Sequence, residues 1–249
     1  MAGETVSSDW RGKRYWLVGA SEGLGRALAL TMSRSGVELV LSARSANRLD
    51  ELKEMLPGRS HVVPMDVTSR REVAEAADEL GEIDGIVYLA GHGTPVKTTK
   101  WDAAAVETML EVNLVGAARV LGVAVPKMLA RGQGHVLLVS SLSAYRGLPG
   151  ALGYGASKAG LLSLAQTMHA DLHGTGVKVQ VVNPGFIRTR MAAGYSGKMP
   201  GIIEPEAAAQ EIWEHMGTDR FAKSFPLGPS AAMRFASMLP IWAYERLFR

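Results

Sequence analysis

The chain has 249 residues, which is enough for one large α/β domain with a well-buried core. Hydrophobic residues make up 47% of it and charged residues 20%, an ordinary globular composition, and the lack of cysteine excludes disulfides, thiolate metal sites and cysteine nucleophiles. The formal net charge of +3 comes from basic residues interspersed with acids, so it does not predict a nucleic-acid partner.

Short apolar runs bounded by Gly, Asp, Ser or Asn alternate with longer helical patterns along the chain. This alternation predicts an α/β fold, a single doubly wound domain with a parallel sheet and helices on both faces. The predicted strands are 15–18, 38–41, 61–65, 83–89, 136–139 and 178–182, and the predicted helices are 26–35, 47–56, 70–80, 103–131 and 154–173. No repeat or linker divides the chain, so 1–249 is predicted to be one domain with its core at about 12–190.

Targeting patterns predict where the protein resides. The N-terminal segment MAGETVSSDWRGKRYW lacks the basic-then-apolar pattern of a secretory signal. No run reaches the roughly 18 apolar residues that a membrane span needs. We therefore expect a cytoplasmic protein.

A glycine-rich turn, residues 19–25, joins the first predicted strand to the first predicted helix. The backbone N–H groups of such a turn and the positive end of the helix dipole both favour a bound pyrophosphate. Gly19 permits the tight turn, Gly23 lets the backbone approach the ligand, and Gly25 permits close contact between helix and strand. Glycines also serve as plain turn residues, but the place of these in a β-α-β pattern favours nucleotide binding.

A serine, a tyrosine and a lysine come at and after the end of strand 136–139. Ser141 lies at the carboxyl end of the strand, where open α/β sheets bind ligands, and its hydroxyl can hydrogen-bond a substrate oxygen. Tyr154 and Lys158 are four residues apart and share a helix face, so the ammonium group is expected to lower the pKa of the phenol. A tyrosine so placed can give or take the proton of a carbonyl/alcohol pair. A Tyr-x-x-x-Lys pair alone arises by chance, and the upstream serine and glycine turn make this one informative.

Together these motifs resemble those of the short-chain dehydrogenase/reductase family, from about residue 14 to about residue 189. The resemblance implies a Rossmann domain and an oxidoreductase that moves a hydride between a nicotinamide dinucleotide and a carbonyl or secondary-alcohol carbon. The implied catalytic tetrad is Asn113, Ser141, Tyr154 and Lys158. The predicted cofactor contacts are Gly19, Ser21, Glu22, Gly23, Leu24, Gly25, Arg44, Asp66, Val67, Ala90, Gly91, Tyr154, Lys158, Pro184, Gly185, Ile187 and Thr189.

The resemblance also implies a role for each member of the tetrad. Tyr154 is the acid and base, and Ser141 orients and polarises the substrate oxygen. Lys158 lowers the pKa of the tyrosine and binds the nicotinamide ribose, while Asn113 holds a water that links Lys158 to solvent. The alternative is a catalytically silent dinucleotide-binding or interaction protein of the same fold, and the intact tetrad favours the enzyme.

Outside the tetrad the sequence both follows and departs from the family. Asp66 matches the family's adenine contact, and segment 183–189 is similar to the one that holds the nicotinamide carboxamide. Val18 replaces the usual threonine before the first glycine, and Tyr88 and Leu89 replace paired asparagines, so the loop that follows must be held differently. The usual glycine-rich final strand is missing. We interpret these departures as changes in the scaffold.

The second predicted strand ends without the carboxylate that an NAD-preferring site uses to bind the ribose 2′-hydroxyl. Arg44 follows it, and a guanidinium can make charge-assisted bonds to a 2′-phosphate, with Ser42 or Ser45 as further donors. Glu22 opposes this prediction, because its charge repels the phosphate unless it points to solvent or pairs with Arg44. We expect NADP(H) as the preferred cofactor, NAD(H) as the alternative, and carbonyl reduction as the favoured direction.

The candidate substrate contacts lie in loops at the carboxyl edge of the sheet and are of mixed polarity, with apolar side chains at Leu148, Phe186 and Met191. The candidates are His92, Thr94, Ser143, Arg146, Leu148, Phe186 and Met191. This set favours a small-molecule lipophilic ketone or alcohol, and leaves open a fatty-acyl ketone, a steroid-like ketone and a xenobiotic carbonyl. Segment 191–204, short and glycine-rich, predicts a mobile lid.

The apolar tail, residues 224–249, is too apolar to be left in water and too short to span a bilayer, so it is expected to form one or two helices. Four placements stay open: packing on its own domain, contact with a partner subunit in a homodimer or homotetramer, covering of the substrate cleft, and contact with a membrane surface. Packing on its own domain and subunit contact are equally favoured, and membrane contact ranks behind both. No metal site is expected, because His169 and His173 have no third ligand nearby and Ala170 stands where a general-base glutamate would.

Overall fold

The computed structural model describes residues 10–195, 197 and 199–248. Its strands are β1 (Arg14–Val18), β2 (Glu38–Ser42), β3 (Ser60–Val62), β4 (Gly85–Tyr88), β5 (Gly134–Val139), β6 (Val177–Pro184) and β7 (Ala222–Phe225). All pair in parallel and form one sheet in the order β3-β2-β1-β4-β5-β6-β7. The strand order reverses between β1 and β4, so the ligand cleft of such a sheet lies at the carboxyl ends of these two strands.

Helices cover both faces of the sheet. They are α1 (Gly23–Arg34), α2 (Ala46–Met55), α3 (Arg70–Glu79), α4 (Ala103–Leu110), α5 (Gly116–Arg131), α6 (Leu152–Asp171), α7 (Arg190–Ala193), α8 (Pro205–Met216), α9 (Leu227–Met238) and α10 (Ile241–Glu245). Side chains of α3, α5 and α6 form the core on one face, and those of α1, α2 and α8 form the core on the other. The predicted single doubly wound α/β domain is confirmed.

Alternate side chains of each strand enter the two cores, because successive residues of a strand point to opposite faces. On β1, Trp16 and Val18 join the core under α3, α5 and α6, whereas Tyr15 and Leu17 join the core under α1, α2 and α8. All four are buried. This double burial explains why the strand sequences are continuous apolar runs rather than alternating patterns.

The C-terminal half contains two elements that the sequence patterns did not predict. The family's usual glycine-rich final strand is missing from the sequence, yet a final strand forms: β7 pairs with β6 although its sequence, AKSF, has neither glycine nor an apolar run. Helix α8 was also missed, although Pro205 stands at its first position and Ala208, Ile212 and Met216 are buried at helical spacing. β7 is short and mostly not buried, so period-based prediction had little to detect there.

The predicted helix 103–131 is a continuous run with a π-helical turn, Glu111–Val115, between α4 and α5. By length and hydropathy alone, Ala103–Arg131 could cross a membrane, but a core helix passes the same test, so this is weak evidence. Val120, Ala124 and Met128 of α5 pack into the core. A π turn inserts an extra residue and changes which side chain faces inward, and such turns occur frequently at functional sites.

The segment between β6 and α8 contains the predicted lid, 191–204. Helix α7 begins it, and an isolated parallel bridge between Ile187 and Ile203 brings its two ends together. Ser196 and Lys198 of this lid lie outside the described residues, as do residues 1–9 and Arg249 of the predicted domain.

Candidate active site

The glycine turn packs directly against the loop that follows β4. Gly19 has a φ of +98°, and a Cβ there would lie 2.5 Å from the backbone nitrogen of Ala90. A Cβ at Gly25 would overlap the carbonyl oxygen of Gly19. Side chains are therefore excluded at both positions, and the turn forms the kind of bare backbone cradle that binds a dinucleotide pyrophosphate.

The start of α1 faces this cradle with its N–H groups free of a side-chain cap. Glu22, the residue before the helix, makes no side-chain capping bond. Its two carboxylate oxygens instead bind arginines, Oε1 at 2.6 Å from Arg190 and Oε2 at 3.0 Å from Arg48. The N–H groups of the first helical turn thus stay available to an anion, and the residues present fit a dinucleotide.

Asn113 holds the loop after β4. Its amide oxygen accepts a hydrogen bond from the backbone N–H of His92 at 2.7 Å, and its amide nitrogen donates to the His92 carbonyl at 2.9 Å and to the Ser157 hydroxyl at 2.8 Å. The side chain is fully buried because the π turn directs it inward. Asn113 therefore connects α6 to the loop that carries Ala90 and Gly91, two predicted cofactor contacts.

Tyr88 takes over part of the scaffolding where the family has asparagine. Its hydroxyl donates to the main-chain carbonyl of Val112, inside the π turn, at 2.6 Å. The backbone N–H groups of Leu89 and Ala90 both donate to the Val18 carbonyl at 2.8 Å. The loop is thus held by main-chain bonds to β1 and by Asn113, without the family's second asparagine.

Ser141 and Tyr154 meet at the carboxyl end of β5. Their side chains share a hydrogen bond, which lowers the pKa of Tyr154, while the larger effect, burial, raises it. Ser141 also accepts bonds from the backbone N–H and the hydroxyl of Ser143 at 3.2 and 3.0 Å. Ser143, predicted as a substrate contact, here orients Ser141.

Lys158 lies one helical turn after Tyr154 on α6. Its Nζ donates to the Val139 carbonyl at 2.8 Å and lies 5.8 Å from the centre of the Tyr154 ring. Burial lowers the pKa of Lys158 to about 8. The Ser140 hydroxyl donates to the Lys158 carbonyl at 2.8 Å, so the end of β5 and the α6 turn that carries the lysine are bonded in both directions.

The sequence predicts that Lys158 lowers the pKa of Tyr154, and the structure does not show this lowering. The pKa of Tyr154 is raised, not lowered, because burial outweighs the Ser141 bond. The ammonium group donates to the Val139 carbonyl and lies 5.8 Å from the centre of the Tyr154 ring. The spacing of Tyr154 and Lys158 predicts that they share a helix face. The direction of the Tyr154 pKa shift depends on burial, which spacing does not report.

The loop after β6 closes the other side of the cradle. The Gly185 N–H donates to the Phe225 carbonyl at 2.8 Å, so β7 holds the start of segment 183–189. Thr189 caps α7 through its hydroxyl, and its methyl group would lie 3.0 Å from a Cβ at Gly23. The predicted carboxamide segment, with Pro184 and Ile187, therefore lies beside the glycine turn.

The loop after β3 carries Asp66 and Val67. Asp66 Oδ1 accepts bonds from the backbone N–H and the hydroxyl of Thr68, both at 2.9 Å. The Asp66 carboxylate keeps acceptor capacity with which it could hold an adenine amino group. Val67 is buried in the core under α3, α5 and α6, so any contact with a base would come from its backbone.

Ser42, the last residue of β2, has a structural role, whereas Arg44 and Ser45 after it are accessible. Ser42 was predicted as a further phosphate donor, and the structure contradicts this: it is fully buried, accepts from Trp16 Nε1 and donates to the Val63 carbonyl. Arg44 is exposed, and Ser45 precedes α2 without a side-chain capping bond. The alternative that Glu22 pairs with Arg44 is also wrong, since its partners are Arg48 and Arg190.

An apolar side chain, that of Met191, lies close to Tyr154. Gly93 lies between Tyr154 and Met191, and a Cβ at Gly93 would be 3.1 Å from the tyrosine ring and 3.0 Å from the methionine sulfur. The rings of Phe186 and Tyr195 are 5.3 Å apart. Met191 and Tyr195 belong to the predicted lid region and are partly exposed.

Arg146 was predicted to contact substrate, and the structure contradicts this. Its guanidinium donates to the carbonyls of Ala236 and Ser237 and to that of Leu239, at the end of α9, and lies 4.3 Å from the centre of the Tyr244 ring. Long-range capping of this kind leaves no sequence signal near the arginine.

The histidines that sequence spacing raised as metal ligands have other surroundings. His169 stacks on Phe221 with ring centres 4.3 Å apart. Within the described ranges, no group of three or more His, Cys, Asp or Glu side chains is placed to hold a metal ion.

The fold and this site define a dinucleotide-binding protein with a proton-transfer centre. A family model described as short chain dehydrogenase matches residues 13–199. A protein named "Uncharacterized oxidoreductase" from Myxococcus xanthus (strain DK1622) is 34% identical over 233 residues, 90% of this chain and 91% of that protein. A second of that name, from Staphylococcus epidermidis (strain ATCC 12228 / FDA PCI 1200), is 33% identical over 182 residues, 72% of this chain and 79% of that protein. The chain belongs to the short-chain dehydrogenase family and is an oxidoreductase.

Solved structures agree with this assignment. One described as a short chain dehydrogenase/reductase family protein has a TM-score of 0.83 at 27% identity and covers 90% of this chain and 99% of its own. A short chain dehydrogenase from Burkholderia cenocepacia J2315, in complex with NADP, has a TM-score of 0.85 at 23% identity and covers 97% and 99%. The second likeness concerns the fold alone.

Proposed function

We propose that this protein is an NADP(H)-dependent reductase of lipophilic ketones. The observation that carries the proposal is the meeting of Ser141, Tyr154 and Lys158 at the end of β5, beside the loop that packs on the glycine turn. An acid, a hydrogen-bond donor and a buried cation in one cleft are what carbonyl reduction requires.

The protonation state of Tyr154 favours reduction. Bound NADPH would supply the hydride that adds to the carbonyl carbon. Tyr154 gives its hydroxyl proton to the carbonyl oxygen, which completes the secondary alcohol, and Ser141 orients that oxygen. The phenol carries its proton at neutral pH, because its ordinary pKa is about 10 and burial raises that pKa further. Oxidation of an alcohol would need the phenolate, which burial disfavours.

Lys158 and Asn113 support this step. With a pKa lowered to about 8, Lys158 exchanges protons near neutral pH and can restore the proton that Tyr154 gives up. Asn113 fixes the loop after β4 through His92, so it positions the backbone that borders the cofactor. Asn113 therefore acts as a positioning residue as well as through the family's water.

The charges around the glycine turn support the phosphorylated cofactor. The carboxylate of Glu22, the one acidic group that opposed this prediction, is offset by two guanidinium groups. The exposed Arg44 and the uncapped start of α2 then place positive charge directly after β2. A 2′-phosphate would meet Arg44 and the Ser45 hydroxyl there.

Cofactor preference tests this proposal directly. We expect wild-type kcat/KM to favour NADPH over NADH by at least about tenfold, since a charge-assisted bond to phosphate is worth about that much. Arg44→Ala should remove most of the preference by raising KM for NADPH. Arg71→Ala, an exposed arginine paired with Glu75 on α3, is the matched control and should change nothing. A wild-type preference for NADH, or an Arg44→Ala enzyme with unchanged preference, contradicts the NADP(H) assignment.

The substrate class needs a separate panel. The apolar side chain of Met191 lies across Gly93 from the Tyr154 ring, which supports a lipophilic ketone. We expect NADPH consumption with acyl-chain and ring ketones and little with short polar ones. Tight NADPH binding without turnover on any ketone or alcohol would favour the silent-binder alternative instead.

A further inference from the structure

The C-terminal segment 227–248 is attached to the domain by its inner face. Ser230 and Ala236 of α9 are buried, and Arg146 binds the carbonyls at the end of this helix. The Tyr244 hydroxyl of α10 donates to the Gly147 carbonyl at 2.8 Å. Packing on its own domain, one of the placements expected from sequence, therefore accounts for this inner face.

The outer face of the same segment is apolar and open. Of the eleven exposed large hydrophobic residues among those described, six lie in this segment. They are Leu227, Phe235, Met238, Ile241, Trp242 and Leu247. Leu227 is 84% exposed and Met238 83% exposed. We call these six side chains the C-terminal apolar face.

The face is continuous along α9. Leu227, Ala231, Phe235 and Met238 are spaced by four, four and three residues, so they form one stripe along the helix. Ile241 and Trp242 extend it onto α10. An aligned stripe of this kind indicates a surface that is covered by something, whereas scattered exposed hydrophobics do not.

The charges beside the C-terminal apolar face indicate which kind of partner covers it. Arg234 and Arg246 flank it, and the guanidinium of Arg246 lies 5.2 Å from the centre of the Trp242 ring. A symmetric contact between two copies would bring the arginines of both chains to one interface, where they repel each other. Anionic lipid headgroups would instead pair with them, and Glu245 is the one acid in 227–248.

We propose that α9 and α10 rest on the surface of an anionic lipid bilayer, with the C-terminal apolar face in the interfacial region. In interfacial helices, tryptophan and leucine side chains point toward the acyl chains, and arginine guanidinium groups lie at the lipid phosphates. With 12 and 5 residues, the helices are too short to cross the bilayer. The protein would thus bind the membrane peripherally.

Vesicle sedimentation with the full chain tests this proposal. We expect the protein to sediment with vesicles of equimolar phosphatidylcholine and phosphatidylglycerol, more weakly with phosphatidylcholine alone, and less as salt is raised. Trp242→Ser should weaken binding about tenfold, because one buried large side chain contributes about that factor. Arg234→Gln should weaken binding to the anionic vesicles and leave binding to phosphatidylcholine unchanged.

Trp101 provides the matched control. It is 59% exposed, against 60% for Trp242, but lies before α4. Trp101→Ser should sediment as the wild type does. Equal loss in the two tryptophan variants, or no sedimentation with anionic vesicles, overturns the proposal. A dimer in light scattering that Trp242→Ser dissociates, without vesicle binding, overturns it as well and assigns the face to a second copy.

Discussion

Strands β5 and β6 meet a buried polar cluster at each end, and the two clusters are built differently. At the amino end, the Tyr15 hydroxyl bonds to His135 Nδ1 at 2.8 Å and His135 Nε2 bonds to Gln180 Oε1 at 2.9 Å. Gln180 Nε2 then donates to the carbonyls of His215, Thr218 and Arg220 in the α8–β7 connection. The side chains of the amino-end cluster thus bond to one another and to main-chain carbonyls.

At the carboxyl end, Ser141 and Lys158 are buried and Tyr154 is half-buried, and the three are bonded more sparingly. Of the three N–H donors of the Lys158 ammonium group, one is bonded to Val139, and the Tyr154 hydroxyl is paired with Ser141. This difference indicates a division of labour. A saturated polar cluster rigidifies the sheet, whereas an incompletely paired one keeps proton donors for a ligand.

The largest expected effect comes from Tyr154→Phe, which keeps the ring and removes the transferable proton. Turnover should fall at least about 10²-fold, with the affinity for NADPH and the free energy of unfolding nearly unchanged. Tyr145→Phe is the matched control, because that hydroxyl bonds to Ser224 and Asn183 rather than to the catalytic group, and its turnover should fall less than about fivefold. Steady-state kinetics and cofactor titration check both, and near-wild-type turnover by Tyr154→Phe would remove the tyrosine from the mechanism.

At the amino end, a substitution is expected to lower the stability of the protein and to leave its turnover nearly unchanged. His135→Leu leaves the Tyr15 hydroxyl and the Gln180 carbonyl oxygen buried without their partner, which should lower the free energy of unfolding by about 2–4 kcal/mol. At a temperature where the variant is folded, kcat/KM should stay within about twofold of the wild type. Urea denaturation and kinetics on one preparation test the pair of outcomes. A large loss of kcat/KM in the folded variant would mean that the two clusters are coupled.

The smallest expected effect is a pH dependence that belongs to the amino end alone. Burial, with Lys178 nearby, lowers the pKa of His135 to about 3, and burial lowers that of His215 to about 4. Histidines of the unfolded chain have a pKa near 6.5. Below that pH the unfolded chain therefore binds protons that the folded protein does not bind. The stability is therefore complete above about pH 6.5 and is lost as pH falls toward these folded values.

Each histidine should cost about 2 kcal/mol of unfolding free energy between about pH 7 and 5. Urea denaturation at both pH values measures it. The difference in stability between wild type and His135→Leu should shrink by about the same amount toward pH 5, because the variant has one such histidine fewer. Parallel pH profiles for the two proteins would show that His135 titrates in the folded state as it does in the unfolded chain.

Several parts of the site follow from sequence because they depend on local order. The strand–glycine–helix sequence predicts the cradle of Gly19 and Gly25, and the spacing of Tyr154 and Lys158 predicts their common helix face. Other parts could not be predicted in this way. The partners of Glu22 come from positions 48 and 190, and Arg146 binds carbonyls about ninety residues further along the chain.

By itself, the sequence determined the alternating elements, the parallel sheet and the order of the tetrad, because hydrophobic period, glycine placement and helix spacing are local properties of the chain. Only the tertiary structure decided the direction of the Tyr154 pKa shift, the inward rotation of Asn113 through the π turn, and the presence of β7. Burial, helix register and strand pairing each depend on what packs from elsewhere in the chain, and no local pattern reports them.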